Sequence, residues 1–315
     1  MPGDSLNSVA IIGAGLIGRG WAIVFARTGW DVALFDIDAD ALTLAQREII
    51  VQLDLLQNAG LCTDIDSVKA HIRYESVLAD AVSNVSYVQE CGPEILQSKR
   101  ALFAELDQLA KPDTVLASSS SGLRTSEFAA DLDGRHRAIV VHPVNPPHLV
   151  PLVEISPAIW TDPAITQRAI DVMHAVEQTP ITVQKEIPGF ILNRLQGALL
   201  NEALRMVQGG YATAEDVDKT VRDGLGLRWS FMGPFETIDL NAPGGVGDYA
   251  ERYGQMYQTM AASQASAPDW TETPIADIVA ARSRHLDRDK ISQRQDWRDM
   301  RLAALAAHKK KQDND

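Results

Sequence analysis

The chain has 315 residues, 45% of them hydrophobic, which suits two domains with sizeable cores. Its formal net charge of -13 disfavours nucleic acid and anionic membrane as partners, and its two cysteines, Cys62 and Cys91, are too few for a disulfide framework. No apolar run approaches membrane-spanning length and no N-terminal segment resembles a signal peptide, so a cytoplasmic protein is expected.

A dinucleotide-binding pattern opens the chain. The apolar run 9–12 predicts a buried strand, the loop GAGLIG follows it, and a helix is expected to about Thr28. In this order the first glycine permits a tight turn, the second admits a pyrophosphate, and the third lets the helix pack on the strand. The phosphates are expected at the N-terminus of the helix. The predicted cofactor-binding residues of the loop are Gly13, Gly15, Leu16, Ile17 and Gly18.

A carboxylate at the end of the second predicted strand indicates which dinucleotide binds. The run 32–35 leads to Asp36, eighteen residues after the last glycine of the loop. A carboxylate there accepts hydrogen bonds from the ribose hydroxyls and repels a 2'-phosphate. Since Ile37 and Asp38 bring no arginine, NAD is favoured over NADP as the cofactor.

Polar residues also follow the next predicted strand. Residues 39–75 are predicted to be helical with a break at Gly60, and residues 85–88 form the next strand. Because ligands bind at the carboxyl ends of the strands in such sheets, Glu90 is a candidate neighbour of the nicotinamide ribose. The alternative is a carboxylate at the start of the helix predicted over residues 95–109.

Four serines follow the strand predicted at residues 115–117. The sequence there is SSSSGL, residues 118–123, and hydroxyls at a strand end suit hydrogen bonding to a substrate. A flexible linker is not expected between a strand and a helix inside one domain. The chain has no GxSxG elbow, which disfavours a serine hydrolase.

A histidine and a glutamate form the candidate catalytic pair. Residues 138–141 predict a short buried strand that ends at His142, where a proline-rich turn follows. Twelve residues later Glu154 stands between two apolar residues, where a buried carboxylate requires a partner. His142 is therefore proposed as a base and Glu154 as its partner. An isolated histidine at a strand end is more often structural than catalytic, so the proposal depends on the rest of the chain.

The second half of the chain predicts a helical domain. Pro188 and Gly189 mark the boundary between a nucleotide-binding domain, residues 1–187, and a substrate and dimerisation domain, residues 188–315. Asn193, in the first turn of a helix predicted to about Val207, is either a surface residue or a residue that faces the cleft. Strand signals are absent further on. The prediction is an α/β fold, a Rossmann-type doubly wound sheet, followed by an all-α domain.

One arginine stands inside an apolar and glycine-rich segment, GLGLRWSFMGPFE. Arg228 is suited to bidentate capture of a substrate carboxylate. The alternative is a surface arginine whose stem covers apolar neighbours.

Together these motifs resemble the 3-hydroxyacyl-CoA dehydrogenase superfamily over the whole length, and within it the branch of lambda-crystallin and L-gulonate 3-dehydrogenase. The resemblance is carried by GAGLIG with Asp36, SSSSGL, HPVNPP with LVE, KEIPGFILNRLQ, GLGLRWSFMGPFET and the late DWRDMR. It implies Ser121 as partner of the substrate oxygen, His142 as base, Glu154 as its orienting carboxylate and Asn193 as a further substrate ligand. It also implies a homodimer made largely through the helical domain, and the reaction requires no metal.

The reaction that this resemblance implies is NAD-dependent oxidation of the 3-hydroxyl of a small hydroxy acid, as in L-gulonate 3-dehydrogenase. Fatty acyl-CoA enzymes of the superfamily usually read HFFNP or HFMNP, and they lack an equivalent of Arg228, so HPVNPP and Arg228 point to a free acid. The alternatives are a short-chain enzyme for 3-hydroxybutyryl-CoA and a carnitine dehydrogenase. A non-catalytic NAD-binding or crystallin-like structural protein is the alternative of another class.

Overall fold

The computed structural model describes residues 7–312, the side chains of residues 272–274 excepted. The chain divides into two compact units. The first unit ends at Asn193 and includes the chain again from Arg294, and the second unit is Arg194–Gln293. The domain boundary predicted at residues 187/188 lies six residues before this division. The sequence patterns do not indicate that the C-terminal segment belongs to the first unit.

The first unit holds one sheet with helices on its two faces. Its strands are β1 (Ser8–Ile12), β2 (Asp31–Phe35), β3 (Ile72–Glu75), β4 (Tyr87–Glu90), β5 (Val115–Ser118), β6 (Ala138–Pro143), β7 (Leu152–Pro157) and β8 (Thr179–Thr182). Its helices are α1 (Leu16–Ala26), α2 (Ala39–Asn58), α3 (Ile65–Ala70), α4 (Leu78–Val82), α5 (Leu96–Leu109), α6 (Thr125–Phe128) and α7 (Pro163–Ala175).

The sheet has the order β3-β2-β1-β4-β5-β6-β7-β8. Strands β1 to β6 are parallel, β7 runs antiparallel to β6, and β8 runs parallel to β7. Alternate residues of β1 enter two separate apolar cores: Val9 and Ile11 pack with Trp21 of α1, whereas Ala10 and Ile12 belong to the core that holds Phe103 of α5. The predicted doubly wound α/β fold is confirmed.

This topology gathers the candidate residues at one edge of the sheet. Parallel strands share the edge at which their carboxyl ends lie, and ligands of such sheets bind outside that edge. The chain leaves β1 at Gly13, β2 at Asp36, β4 at Cys91 and β5 at Ser119. His142 lies one residue before the end of β6, so it reaches the same edge.

The helix predicted across residues 39–75 is wrong in its last part. The break at Gly60 is real, with φ at 74°, but Ile72–Glu75 forms the edge strand β3, which pairs with β2. The segment is only four residues long and follows directly on α3. A period of two cannot be distinguished from a helical period over so few residues, and pairing with β2 decides the outcome.

Helices and turns make up the second unit. They are α8 (Leu192–Gln208), α9 (Ala214–Lys219), a π-helical turn (Thr220–Leu225), α10 (Gly226–Trp229), α11 (Pro234–Asp239), α12 (Gly245–Ser263) and α13 (Glu272–Ser283). The predicted all-α second domain is confirmed. The last helix, α14 (Ile291–Gln312), carries Ala303, which is 1% exposed in the core of the first unit. Within residues 7–312, no helix is long and apolar enough to cross a membrane.

Candidate active site

A cleft of about 830 Å³ lies at the carboxyl ends of β1, β2 and β4. Its lining includes Gly13, Gly15, Asp36, Ser76 and Cys91. The cleft therefore brings the glycine loop and the carboxylate of the predicted nucleotide site to one place. A volume of this size is suited to a small ligand or cofactor.

The three glycines of the loop differ in the room that a side chain would have at each position. Gly13 has φ at 108°, which favours glycine, and a Cβ at Gly18 would lie 1.8 Å from the carbonyl oxygen of Gly13. A Cβ at Gly15, in contrast, would meet no heavy atom within 4 Å. Gly15 is the N-cap of α1, so this open space lies where the helix dipole favours a phosphate. The loop, including Leu16 and Ile17 in the first turn of α1, fits the pyrophosphate of NAD.

Asp36 supports the glycine loop and keeps a charge in the cleft. Its Oδ2 accepts the backbone N–H of Ala14 at 2.8 Å, and its Oδ1 accepts that of Asp38 at 3.0 Å. The side chain is partly exposed and lines the cleft. It therefore holds the loop against β2 and leaves a carboxylate in the cleft, which fits NAD better than NADP. Its contact with the ribose hydroxyls stays a prediction.

Glu90 is engaged inside the fold. Its side chain is 1% exposed, and its oxygens lie 2.6 and 2.8 Å from the Nζ of Lys99 on α5. They also accept the hydroxyl of Ser118 at 2.6 Å and the backbone N–H of Gly92 at 2.7 Å. A contact between Glu90 and the nicotinamide ribose stays a prediction, and this buried ion pair does not favour it.

The antiparallel pairing of β6 and β7 places His142 directly opposite Glu154. The imidazole Nδ1 lies 2.8 Å from Oε2 of the fully buried carboxylate. The other oxygen, Oε1, accepts the backbone N–H groups of Ile191 and Leu192 at 2.8 and 2.9 Å.

Electrostatics keep this carboxylate ionised. Burial by itself raises the pKa of Glu154, but the hydrogen bonds from His142, Leu192 and Ile191 outweigh it and lower the pKa below its ordinary value. An ionised Glu154 fixes the hydrogen of the imidazole on Nδ1. The Nε2 atom of His142 is then left to accept a proton.

An aromatic ring that the sequence patterns do not indicate packs beside the imidazole. The ring centroid of Phe190, a fully buried residue, lies 5.6 Å from that of His142. Phe190 has φ at 49° and follows Gly189 at 78°, and a left-handed non-glycine residue costs about 1–3 kcal/mol. The Pro-Gly pair in the sequence predicts a turn there, but not that the turn carries a ring to His142.

The two predicted substrate ligands lie together. Asn193 Nδ2 donates to the backbone carbonyl of Ser121 at 2.8 Å, and Ser121 is exposed. Glu94, an exposed residue that the sequence patterns do not indicate, supports the same turn. Its carboxylate accepts the N–H groups of Gly122 and Leu123, each at 2.9 Å. Its partners are 28 and 29 residues away in sequence, so no local pattern reveals the contact.

Arg228 lies in the second unit, on α10, and its side chain is exposed. Its role toward a substrate carboxylate stays a prediction. In the part of the chain that the structure describes, no group of three or more His, Cys, Asp or Glu side chains could hold a metal ion.

Comparisons with known proteins identify the family of both parts of the chain. Residues 8–187 match the model of the 3-hydroxyacyl-CoA dehydrogenase NAD binding domain, which confirms the predicted cofactor, and residues 189–275 match the model of its C-terminal domain. Lambda-crystallin of Oryctolagus cuniculus is 38% identical over 98% of both chains. An L-carnitine dehydrogenase of Streptomyces griseus is 36% identical over 89% of this chain and 88% of the relative.

Among solved structures, a similar one is 5-formyl-3-hydroxy-2-methylpyridine 4-carboxylic acid 5-dehydrogenase, described as an NAD⁺-dependent dismutase. It superimposes with a TM-score of 0.83 at 27% identity, and the match covers 95% of this chain and 97% of that one.

Proposed function

The chain belongs to the 3-hydroxyacyl-CoA dehydrogenase family of NAD-dependent oxidoreductases, and we propose that it oxidises the 3-hydroxyl of a small free hydroxy acid with His142 as the base. The observation that carries the proposal is the 2.8 Å contact between His142 Nδ1 and the buried carboxylate of Glu154. A histidine with one nitrogen fixed by an ionised carboxylate is prepared to take a proton on the other.

NAD would be held by Gly13, Gly15 and Asp36 in the nucleotide cleft, and it would supply the hydride acceptor for the carbon that carries the hydroxyl group. His142 removes the hydroxyl proton through Nε2, and Glu154 stabilises the imidazolium that forms. Phe190 limits the tilt of the imidazole ring. Ser121 and Asn193 hold the substrate oxygen, which places the hydroxyl and the base in a reactive geometry.

Two features support a free acid as the substrate. The turn after His142 reads HPVNPP, and Arg228 is an exposed guanidinium suited to a carboxylate. The similarity to a protein named L-carnitine dehydrogenase supports the same class, because carnitine is itself a free 3-hydroxy acid. Within this class, L-gulonate is the substrate that the branch resemblance favours.

Formation of NADH by the purified protein tests the proposal. L-gulonate, L-carnitine, 3-hydroxybutyrate and 3-hydroxybutyryl-CoA are compared at matched concentration with NAD in excess. We expect the highest kcat/KM with one of the free acids. Preference for the thioester contradicts the free-acid assignment, and inactivity with all four together with tight NADH binding supports the non-catalytic, crystallin-like alternative.

We also propose that the protein is a homodimer whose interface lies on the helical unit. Large apolar side chains of that unit are exposed, including Tyr211 at 79%, Phe235 at 77% and Phe231 at 69%. Exposed apolar surface on this scale is typical of a protein interface. Light scattering is expected to give twice the mass of the chain, and a monomer at micromolar concentration would contradict the proposal.

A further inference from the structure

Four side chains of the first unit form a hydrogen-bonded group that the mechanism above does not use. We call it the Gln89 cluster, and its members are Trp21, Gln89, Cys91 and Ser119. They come from α1, from β4, and from the residues that directly follow β4 and β5. Trp21 and Gln89 are fully buried, whereas Ser119 and Cys91 are partly exposed.

Gln89 connects three neighbouring strands. Its Nε2 donates to the hydroxyl of Ser119 at 2.7 Å and to the carbonyl of Val141 on β6 at 3.1 Å. The side chain can cross β5 because its partner in register on that strand is Ala117, a small residue. A carbonyl can only accept, so the contact with Val141 fixes which end of the amide faces β6.

Ser119 completes a directed set of bonds. Its oxygen accepts Trp21 Nε1–H at 3.1 Å as well as the Gln89 amide, so both of its lone pairs are used. The hydroxyl hydrogen is left to point to the Cys91 sulfur, 3.3 Å away. The thiol in turn lies 3.6 Å from the backbone carbonyl of Gln89. The orientation of each member is therefore set by the others.

The cluster joins the parts of the site that must keep a fixed spacing. Trp21 lies on α1, whose N-terminus lines the nucleotide cleft. Val141 immediately precedes His142, and Ser119 lies two residues before Ser121. An apolar side chain would fill the core around Gln89 without the desolvation that a buried amide requires.

We propose that Gln89 and Ser119 are positioning residues that hold the cofactor helix, the serine turn and His142 at the separation that hydride transfer requires. This inference rests on the proposed function. Two substitutions test it. Ser119→Ala leaves two buried donors without their acceptor, and Gln89→Met keeps the length of the side chain while it removes both of its hydrogen bonds.

The control is Thr114→Val. Thr114 is fully buried just before β5, and its hydroxyl donates to the carbonyl of Val85 at 3.0 Å. It lies at the opposite end of the same strands from the site, so the variant loses a buried hydrogen bond of similar kind without touching the cluster.

Turnover with NAD and the preferred hydroxy acid is measured for all four proteins, together with NADH affinity and Tm. We expect kcat to fall by about 10-fold or more in Ser119→Ala and Gln89→Met, because small misplacements of reacting groups have effects of this size. NADH affinity should change by less than about 2-fold, since the cluster fixes spacing rather than the cofactor contacts. In Thr114→Val the Tm should fall while kcat stays near the wild-type value. Equal kcat values in the three variants at equal loss of Tm overturn the inference.

Crystal structures of the variants test the positioning role of the Gln89 cluster independently of turnover. In Ser119→Ala the serine turn should shift relative to the His142 imidazole by about 0.5 Å or more, the tolerance within which catalytic groups must be held. A turn that superimposes on the wild type overturns the inference. If the wild-type protein is inactive, in contrast, the proposed function is contradicted, and the crystal structures still test whether the cluster positions the serine turn.

Discussion

At the scale of single residues, Glu154 uses its two carboxylate oxygens for two different contacts. One accepts from His142, and the other accepts two backbone N–H groups at the start of α8. An amide in its place cannot accept at both ends. We therefore expect Glu154→Gln to lower kcat by at least about 10-fold, because the imidazole loses both its orientation and the charge that stabilises its protonated form. Steady-state kinetics at pH 7 measure this, and a kcat within 2-fold of wild type contradicts it.

The lowered pKa of Glu154 also makes stability depend on pH. In the unfolded chain the pKa of a glutamate is about 4.3. In the folded protein the pKa of Glu154 is lower, so the folded state favours the ionised form. This contribution is complete above the unfolded pKa and is lost as the pH falls through the folded one. The difference in Tm between wild type and Glu154→Gln should therefore shrink as the pH is lowered from 7 to 3. A difference that stays constant contradicts the assignment.

Two glycines of the nucleotide loop should respond differently to alanine. Gly18→Ala places a Cβ 1.8 Å from the carbonyl of Gly13, so the backbone must move and the Tm should fall. Gly15→Ala enters open space, so the protein should keep its Tm, while the methyl group occupies the room left for the pyrophosphate and weakens NADH binding. Thermal melts and NADH fluorescence titrations separate the two effects, and the reverse pattern would show that the loop does not hold phosphates.

At the scale of elements, His148 connects the turn after β6 to two helices. Its side chain is 7% exposed, its Nε2 lies 3.1 Å from Gln52 Oε1 of α2, and its carbonyl accepts Arg27 Nη1 at 3.0 Å. Burial, with the neighbouring charge of Arg27, lowers the pKa of His148 to about 4. The turn is therefore packed around a neutral imidazole.

This packing predicts acid sensitivity. Between pH 6.5 and 4 the His148 imidazole is protonated in the unfolded chain but neutral in the folded protein. The free energy of unfolding should therefore fall by up to about 3 kcal/mol as the pH is lowered through that window. His148→Gln should remove this part of the pH dependence. His174→Gln, a change at an exposed histidine of α7, is the control and should keep it. Urea unfolding at several pH values measures the free energy of unfolding. If this free energy changes with pH equally in the two variants, burial of His148 is not the cause of the acid sensitivity.

The elements also show how far a sequence can predict local structure. The glycine loop with α1, the strand that ends at His142 and the helix after Gly189 follow from apolar periodicity and glycine placement. The strand β3 does not, because pairing with β2 creates it. The engagement of Glu90 by Lys99 is equally hidden, since it requires α5 to fold back on the end of β4.

At the scale of the whole molecule, the order of the predicted elements was enough for the fold class. Alternating strands and helices followed by helices alone predict a parallel sheet and an all-α unit, and both are present. The place of α14 was not predictable, because its pattern is helical in either unit. The burial of Ala303 among side chains of the first unit, with Leu302 packed against the same core, assigns it.

The substrate preference of the whole enzyme should depend on Arg228. We expect Arg228→Leu to raise KM for free hydroxy acids with little change in kcat, because a carboxylate contact stabilises bound substrate and transition state alike. Arg222→Leu, which removes an exposed guanidinium paired with Asp223, serves as the control. An unaltered KM in Arg228→Leu removes this residue from substrate recognition.

Turnover of His142→Gln tests whether His142 is the base of an NAD-dependent dehydrogenase. Loss of the general base should lower kcat by about 10² or more, since positioned proton transfer contributes effects of this size. NADH binding should remain nearly intact, because the nucleotide cleft is built from other residues. A variant that turns over at the wild-type rate would remove His142 from the mechanism.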